Sequence, residues 1–346
     1  MQTEFQTIGQ NEAQNAAIIA RAARIIREGG LVGMPTETVY GLAASAFDTM
    51  AAEKVYKAKG RPSDNPLIVH IAYPEEAETI AYVPPIYYKL AEKFMPGPLT
   101  VILPKRSNIP DGVTGGLDTV AVRCPAHPVA RALIQESGVP IAAPSANRSG
   151  LPSPTTAQHV LRDMDGRIEM ILDGGPSEIG LESTVIRLTE EGCIILRPGA
   201  VTERMLAAVC GVVSVARGVV NPDEVEDKPL SPGMKYKHYA PDAEVILIDG
   251  TPDAFIAYVS THMEERDAVA AADDMADFFP GLARLSTGAI TCAQEESRQL
   301  FALLRLADDF GYRRVYIKLP PAEGEHLALY NRLIRAAGGK IIHLTK

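Results

Sequence analysis

DTMAAEKVYKAKGRPSDNPLIVHIA, residues 48 to 72, passes from a helical to an extended period within one stretch, and that change decides the fold class. Asp48 to Lys59 reads as a helix with Val55 and Tyr56 turned inward, and Gly60 closes it. Pro62 and Pro66 then stiffen a turn into the strand LIVHIA. Lys59 and Arg61 flank Gly60, so in extended backbone both side chains point the same way, where two cations repel unless an anion lies between them. Two readings stand at this point: a loop that grips a ligand, with Gly60 letting it approach the backbone, or a solvated turn carrying two surface charges. His70 interrupts the apolar run, and a lone histidine in a strand is by default a hydrogen-bonded core residue.

Upstream, Ala17, Ile18, Ala22, Ile25 and Ile26 fall on helical spacing, and Gly29-Gly30 ends the pattern. LVGMP is a short buried strand running into TETVYGLAASAF, where Thr36, Glu37, Thr38 and Tyr40 gather hydroxyls and a carboxylate. Such groups at the end of a buried strand make ligand contacts in α/β proteins, or Thr36 or Thr38 caps a helix.

Downstream, helical segments near 74–82 and 85–95 lead through Pro-Gly-Pro into the strand Leu99 to Leu103. The Gly- and Asp-rich loop SNIPDGVTGGLD reads as mobile or ligand-covering. TVAVRCP is a strand on which Arg123 is either a surface charge or a cation aimed into a cleft. A helix near 127–137 and the strand VPIAA precede PSANRSGLPSPTT, a long proline-ordered loop with Ser145, Asn147, Arg148, Ser149 and Ser153, after which Thr155 or Thr156 caps a helix. IEMILDGG is a further strand; GLESTVIRL and CIILRPG form a hairpin carrying Ser183, Thr184 and Arg197, followed by a helix near 202–209 and a strand near 212–215. Strands and helices mix without strict alternation, which predicts α/β architecture with a mixed twisted sheet and helices outside.

Residues 216–242 lack a period and form a linker, yet SPGMKYKHYAP packs lysines, tyrosines and His238 together; Tyr236 and Tyr239 suit stacking or docking, and Lys235, Lys237 and His238 suit phosphate. From Glu244 the pattern alternates strand and helix, a smaller unit with parallel-sheet character and neither GxGxxG nor P-loop. The division is therefore 1–215, linker 216–242 and 243–346.

Length suits two domains, and 46% hydrophobic with 22% charged residues is ordinary for a globular protein. No apolar run reaches the roughly 18 residues of a membrane span, and the polar N-terminus lacks a signal-peptide core, so a cytoplasmic protein is expected. Cys124, Cys193, Cys210 and Cys292 have no metal-ligand or paired spacing and are expected to be reduced, buried packing residues. A net charge of -9 disfavours a broad nucleic-acid face, so any anion site must be a local concentration of cations.

PTETVYGL, KAKGRPSDNPLIVH, MPGPLTVIL, TVAVRCP, PSANRSG, ESTVI and RPG, in this order, resemble the YrdC-like catalytic domain of threonylcarbamoyl-AMP synthases. The linker motif followed by a small α/β unit is similar to the long, two-domain form, with a deep cavity in the first domain and a Rossmann-like second one. Ala43, where a glycine is expected after VYGL, is the one departure. The resemblance implies formation of threonylcarbamoyl-adenylate and pyrophosphate from L-threonine, bicarbonate and ATP, with Mg2+ on the phosphates. Downstream proteins would pass the threonylcarbamoyl group to tRNA adenosine. It also implies that Lys59 and Arg61 meet the ATP phosphates, joined on the nucleotide side by Ser145, Asn147, Ser153 and Arg197. Thr36, His70, Arg123 and Ser183 would surround threonine, while Tyr236 and His238 close the linker over the cavity. Competing readings are an RNA-binding module and an enzyme that makes a plain carbamoyl-adenylate.

Overall fold

Local capping chemistry sets the helix ends. Asn11 accepts from the Gln14 N–H to start α1 (Glu12–Arg27), which buries Ile18, Ala22, Ala23 and Ile26. Asp48 accepts from Met50 and Ala51 to start α2 (Thr49–Lys59), and Gly60 in the left-handed conformation, φ 63°, ends it. Between these helices run β2 (Val32–Met34) and β3 (Gly41–Ser45), paired antiparallel around residues 35–40. The computed structural model describes residues 2–221 and 239–344.

The first unit continues through β4 (Ile68–His70), α3 (Pro85–Phe94), β5 (Leu99–Pro104), α4 (Asp111–Thr114), β6 (Thr119–Arg123), α5 (Pro128–Ser137) and β7 (Ile141–Ala142). It closes with α6 (Ala157–Met164), β8 (Met170–Asp173), β9 (Thr184–Leu188), β10 (Gly192–Arg197), α7 (Glu203–Cys210), β11 (Val212–Val215) and α8 (Arg217–Val220). The N-terminal EFQT forms β1 (Glu4–Thr7), a strand its polar sequence does not announce, because it exists by parallel pairing with β8. The sheet order is β1-β8-β2-β3-β7-β4-β6-β5-β9-β10-β11, with parallel and antiparallel neighbours mixed as expected. Packed against it, Val55, Leu67, Val69, Leu99, Val101 and Val122 belong to one buried cluster.

The second unit comprises β12 (Glu244–Asp249), α9 (Pro252–His262), β13 (Asp267–Ala271), β14 (Arg284–Ser286), α10 (Ala293–Asp309), β15 (Arg314–Lys318), α11 (Leu327–Ala336) and β16 (Ile341–His343). Its strands run in the order β14-β13-β15-β12-β16, every pair parallel, so crossover helices cover both faces. No helix among the described residues is long and apolar enough to cross a membrane.

Four local expectations change. The helical segment expected near 74–82 is a 3-10 helix that stops at residue 79. SNIPDGVTGGLD is a buttress: Val113 and Thr114 are buried, Val113 accepts from the Leu67 N–H, and the Gly112 carbonyl accepts from the Tyr56 hydroxyl. The glycines and aspartate that suggested mobility instead make the turns of α4, which packs under the loop after α2. Neither Thr36 nor Thr38 caps a helix, since GLAAS is a strand. Of the four free cysteines only Cys124 and Cys193 are buried; Cys210 and Cys292 are part-exposed.

Candidate active site

Strand register assembles the heart of the site. In β4–β6, His70 lies opposite Arg123, and in β5–β6, Thr100 lies opposite Arg123, so the three side chains share one face of adjacent strands. Thr100 Oγ1 is 2.8 Å from Ser183 Oγ, next to the start of β9. His70 Nδ1 donates to the Ile68 carbonyl at 3.1 Å. Burial, then the Arg123 charge, pushes the His70 pKa down to about 3, so its imidazole is neutral near pH 7. Arg123 Nη2 pairs with Glu37 Oε1 at 2.7 Å, with both side chains almost wholly removed from water. Burial raises the Glu37 carboxyl, but the Arg123 charge and hydrogen bond outweigh it and hold the pKa below its usual value.

Two loops are zipped together above these strands by their backbones. Ala146 donates to the Tyr40 carbonyl, Leu42 to Pro144 and Tyr40 to Pro154, which fastens TETVY to PSANRSGLPSP. Within the first loop, Thr36 Oγ1 donates to the Val39 carbonyl and accepts from the Thr38 and Val39 N–H groups. The second loop also meets the end of α2, since Ser149 donates its N–H to the Lys59 carbonyl.

Lys59 and Arg61 reach the site by a different route from the extended backbone that their spacing suggested. Lys59 is the last residue of α2, and Gly60 turns the chain so that Arg61 follows in the loop. Lys59 Nζ donates to the carbonyls of Ser145 at 2.5 Å and Asn147 at 2.6 Å. Burial, then the charge of Arg61, lowers its pKa well below the usual value, although Asp163 and Glu182 oppose that shift. Arg61 Nη2 donates to Asn65 and Pro66 carbonyls, while its buried Nε has no hydrogen-bond partner among the described residues. Burial brings both Arg61 and Arg197 down to about 10, so each remains a cation at pH 7. These groups have traded water for a few carbonyls, an arrangement that favours an incoming polyanion.

One cleft of about 680 Å³, counting the space at its mouth, is lined by Thr36, Lys59, Arg61, His70, Arg123, Ser145, Asn147, Ser153 and Arg197. The surface-turn reading of Lys59 and Arg61 therefore fails, since both are buried and line this cleft. Ser183 stands just behind the lining: its carbonyl accepts from Arg197 Nε and its hydroxyl from Arg197 Nη2, each at 3.1 Å. Tyr236 and His238 lie outside the described residues. Tyr239, which follows them, lines the cleft and stacks on Phe301 of α10 with ring centroids 5.1 Å apart.

Sequence reasoning did not single out Glu182 or Thr100. Glu182 lines the cleft, accepts from the Ser153 hydroxyl at 2.5 Å and pairs with Arg332 Nε at 2.9 Å. It sits beside Ser183 in the ESTVI motif, but nothing local shows that α11 supplies its partner. Among the described residues no three His, Cys, Asp or Glu side chains could hold a metal ion together.

Comparison with known proteins gives a consistent match along the chain. A family model for Sua5, YciO and YrdC proteins, described as telomere recombination, matches residues 24–199. A second, described as the threonylcarbamoyl-AMP synthase C-terminal domain, matches residues 201–338. A threonylcarbamoyl-AMP synthase of Bacillus subtilis is 44% identical over 98% of each chain. One of Pyrococcus abyssi is 45% identical over 93% of this chain and 94% of its own. The crystal structure of P. abyssi Sua5 complexed with L-threonine superposes with a TM-score of 0.90, at 42% identity and full coverage of both chains.

Proposed function

From the chain's membership of the threonylcarbamoyl-AMP synthase family, we infer that it joins L-threonine, bicarbonate and ATP into threonylcarbamoyl-adenylate and pyrophosphate. The single observation that supports this most is the cleft itself, where buried cations and neutral His70 converge from separate strands and loops. The threonine-bound P. abyssi structure supports the same amino-acid substrate here.

The chemistry asks little covalent work of the protein. The threonine amine, once neutral, takes up bicarbonate with loss of water to give a carbamate. A carbamate oxygen then bonds to the α-phosphorus of ATP, the bond from that phosphorus to the bridging oxygen breaks, and pyrophosphate leaves with the electron pair. Such transfers depend mainly on positioning and charge stabilisation. Lys59, Arg61 and Arg197 supply positive charge to the phosphates, with Ser145, Asn147 and Ser153 beside the nucleotide. Arg123 forks onto the threonine carboxylate, with Thr36, neutral His70 and Ser183 completing that end. Lys59 and Arg61 are the residues on which the transfer step depends most.

Mg2+ would enter with the triphosphate, because Glu182, which lines the cleft, is committed to Arg332, and Glu37 is committed to Arg123. Among the described residues no His, Cys, Asp and Glu side chains group into a metal cage. The product would pass to proteins that modify tRNA in the cytoplasm. An RNA-binding module is the weaker reading, since net charge is -9 and the cations are sunk in a cleft too confined for a duplex face.

Supplying 13C-labelled bicarbonate, threonine and ATP and weighing the adenylate by mass spectrometry tests the reading. A labelled threonylcarbamoyl-adenylate that vanishes without threonine is expected. A plain carbamoyl-adenylate, or pyrophosphate release independent of threonine, overturns it.

A further inference from the structure

The second domain holds one wall of the cleft with two buried arginines. Arg332 on α11 is fully buried; its Nε donates to Glu182 Oε2 at 2.9 Å and its Nη1 to the Pro198 carbonyl at 2.9 Å. Arg305 on α10 forks onto Asp163 at 3.1 and 2.7 Å and donates to the Pro152 carbonyl at 2.6 Å. The other oxygen of Glu182 accepts from Ser153. Pro152 and Ser153 are thus fixed from the second domain, one through its carbonyl and the other through a carboxylate. The contact is close: at Gly180, φ 78°, an added Cβ would lie 2.4 Å from the Arg298 carbonyl oxygen of α10.

Glu182 is the anomaly in this cleft. A polyanion-binding site gains nothing from a carboxylate in its lining, and an uncompensated one would repel phosphate in a low-dielectric setting. Burial pushes the Glu182 carboxyl up, but the charges of Arg332 and Arg197 and the Ser153 hydrogen bond hold its pKa below the usual value, so it stays ionised. Its charge must therefore be cancelled where it sits. Arg332 does this from the side away from the lining: it is 0% exposed and does not itself line the cleft.

We propose that Arg332 is a positioning residue for ATP that acts through Glu182: it cancels the charge of that carboxylate at the lining, making the nucleotide end of the cleft dependent on the second domain. This rests on the assignment of Lys59, Arg61 and Ser153 to the nucleotide side. A buried pair that served stability alone could be replaced by apolar groups at little cost, whereas loss of one partner leaves an unpaired charge. Removing Arg332 and then the charge of Glu182 separates these roles.

The test measures KM for ATP and for threonine in pyrophosphate release by wild type, Arg332→Met, Glu182→Gln and the double variant. Arg332→Met is expected to raise the ATP KM by about tenfold or more while moving the threonine KM far less. Glu182→Gln in the same chain should return the ATP KM to within about threefold of wild type, because the repelling charge is gone. If Arg332→Met does not fold, Arg332→Gln, which keeps a donor, carries the same comparison. An unchanged ATP KM, equal rises for both substrates, or a defect that Glu182→Gln leaves in place overturns the proposal. Lys59→Ala and Arg61→Gln are run alongside: if they leave the ATP KM unchanged the nucleotide-side assignment fails, and if only they raise it this inference alone fails.

Discussion

Arg123 and Glu37 form an ion pair at 2.7 Å in which neither side chain exceeds 7% exposure, and His70 lies opposite Arg123 in the neighbouring strand. A guanidinium already oriented by one carboxylate, beside a neutral imidazole, is prepared for a second carboxylate such as that of an amino acid. Arg123→Lys keeps the charge but loses the fork. The threonine KM should rise by about tenfold, the cost of roughly one charge-assisted hydrogen bond, with the ATP KM nearly constant. Steady-state kinetics with each substrate varied in turn checks this.

At the other end, Lys59 is hydrogen-bonded among the described residues to neutral oxygens only, two of them carbonyls at 2.5 and 2.6 Å. On the proposed assignment an incoming phosphate would pair with its charge. Lys59→Met should raise the ATP KM by about tenfold to a hundredfold, the equivalent of about 1.5–3 kcal/mol for a charged hydrogen bond. Arg61→Gln should act in the same direction, and steady-state pyrophosphate release with ATP varied reads both.

His70 makes a prediction about acid stability. Its pKa falls from 6.5 to about 3 on folding, so between these values the unfolded chain binds more protons than the folded one. Stability therefore falls as pH drops from about 6.5 toward 3 and is untouched by this group above that window. The full effect is on the order of 5 kcal/mol, since each tenfold loss of proton affinity on folding corresponds to about 1.4 kcal/mol. Urea unfolding across this range should show a shallower pH slope for His70→Gln. Some slope remains, because burial also lowers His159, to about 4, and His127.

Two ion pairs joining the domains should differ sharply in worth. Arg305–Asp163 is buried at 4% and 3% exposure, whereas Arg162–Asp309 lies open at 51% and 46%. Asp163→Asn should cost about 3–5 kcal/mol by stranding a buried guanidinium. Asp309→Ala should cost less than about 1 kcal/mol. Thermal unfolding of the two variants side by side settles the contrast.

Much of the fold was legible because its signals are local. Asp48, Gly60, Thr156 and Thr202 mark helix ends through side chains or φ values that act within a few residues. β1 was not legible, since EFQT becomes a strand only by meeting residues 170–173. The cations and hydroxyls of the cleft could be chosen by residue type and motif order, but their convergence depends on strand register. Extended backbone was the wrong geometry for Lys59 and Arg61, although both do line the cleft. Glu182 was hidden for a physical reason: its charge partner is 150 residues away on another domain.

A nucleotide end at Lys59 and Arg61 and a threonine end at Arg123 and His70 would make the two halves of one cleft separable by substitution. Calorimetric titration of threonine into wild type, Arg61→Gln and Arg123→Lys, without ATP, tests it most directly. Binding about tenfold weaker to Arg123→Lys, with a change of less than about twofold for Arg61→Gln, is the expected result. Equal weakening in both variants, or undiminished binding to Arg123→Lys, would contradict it.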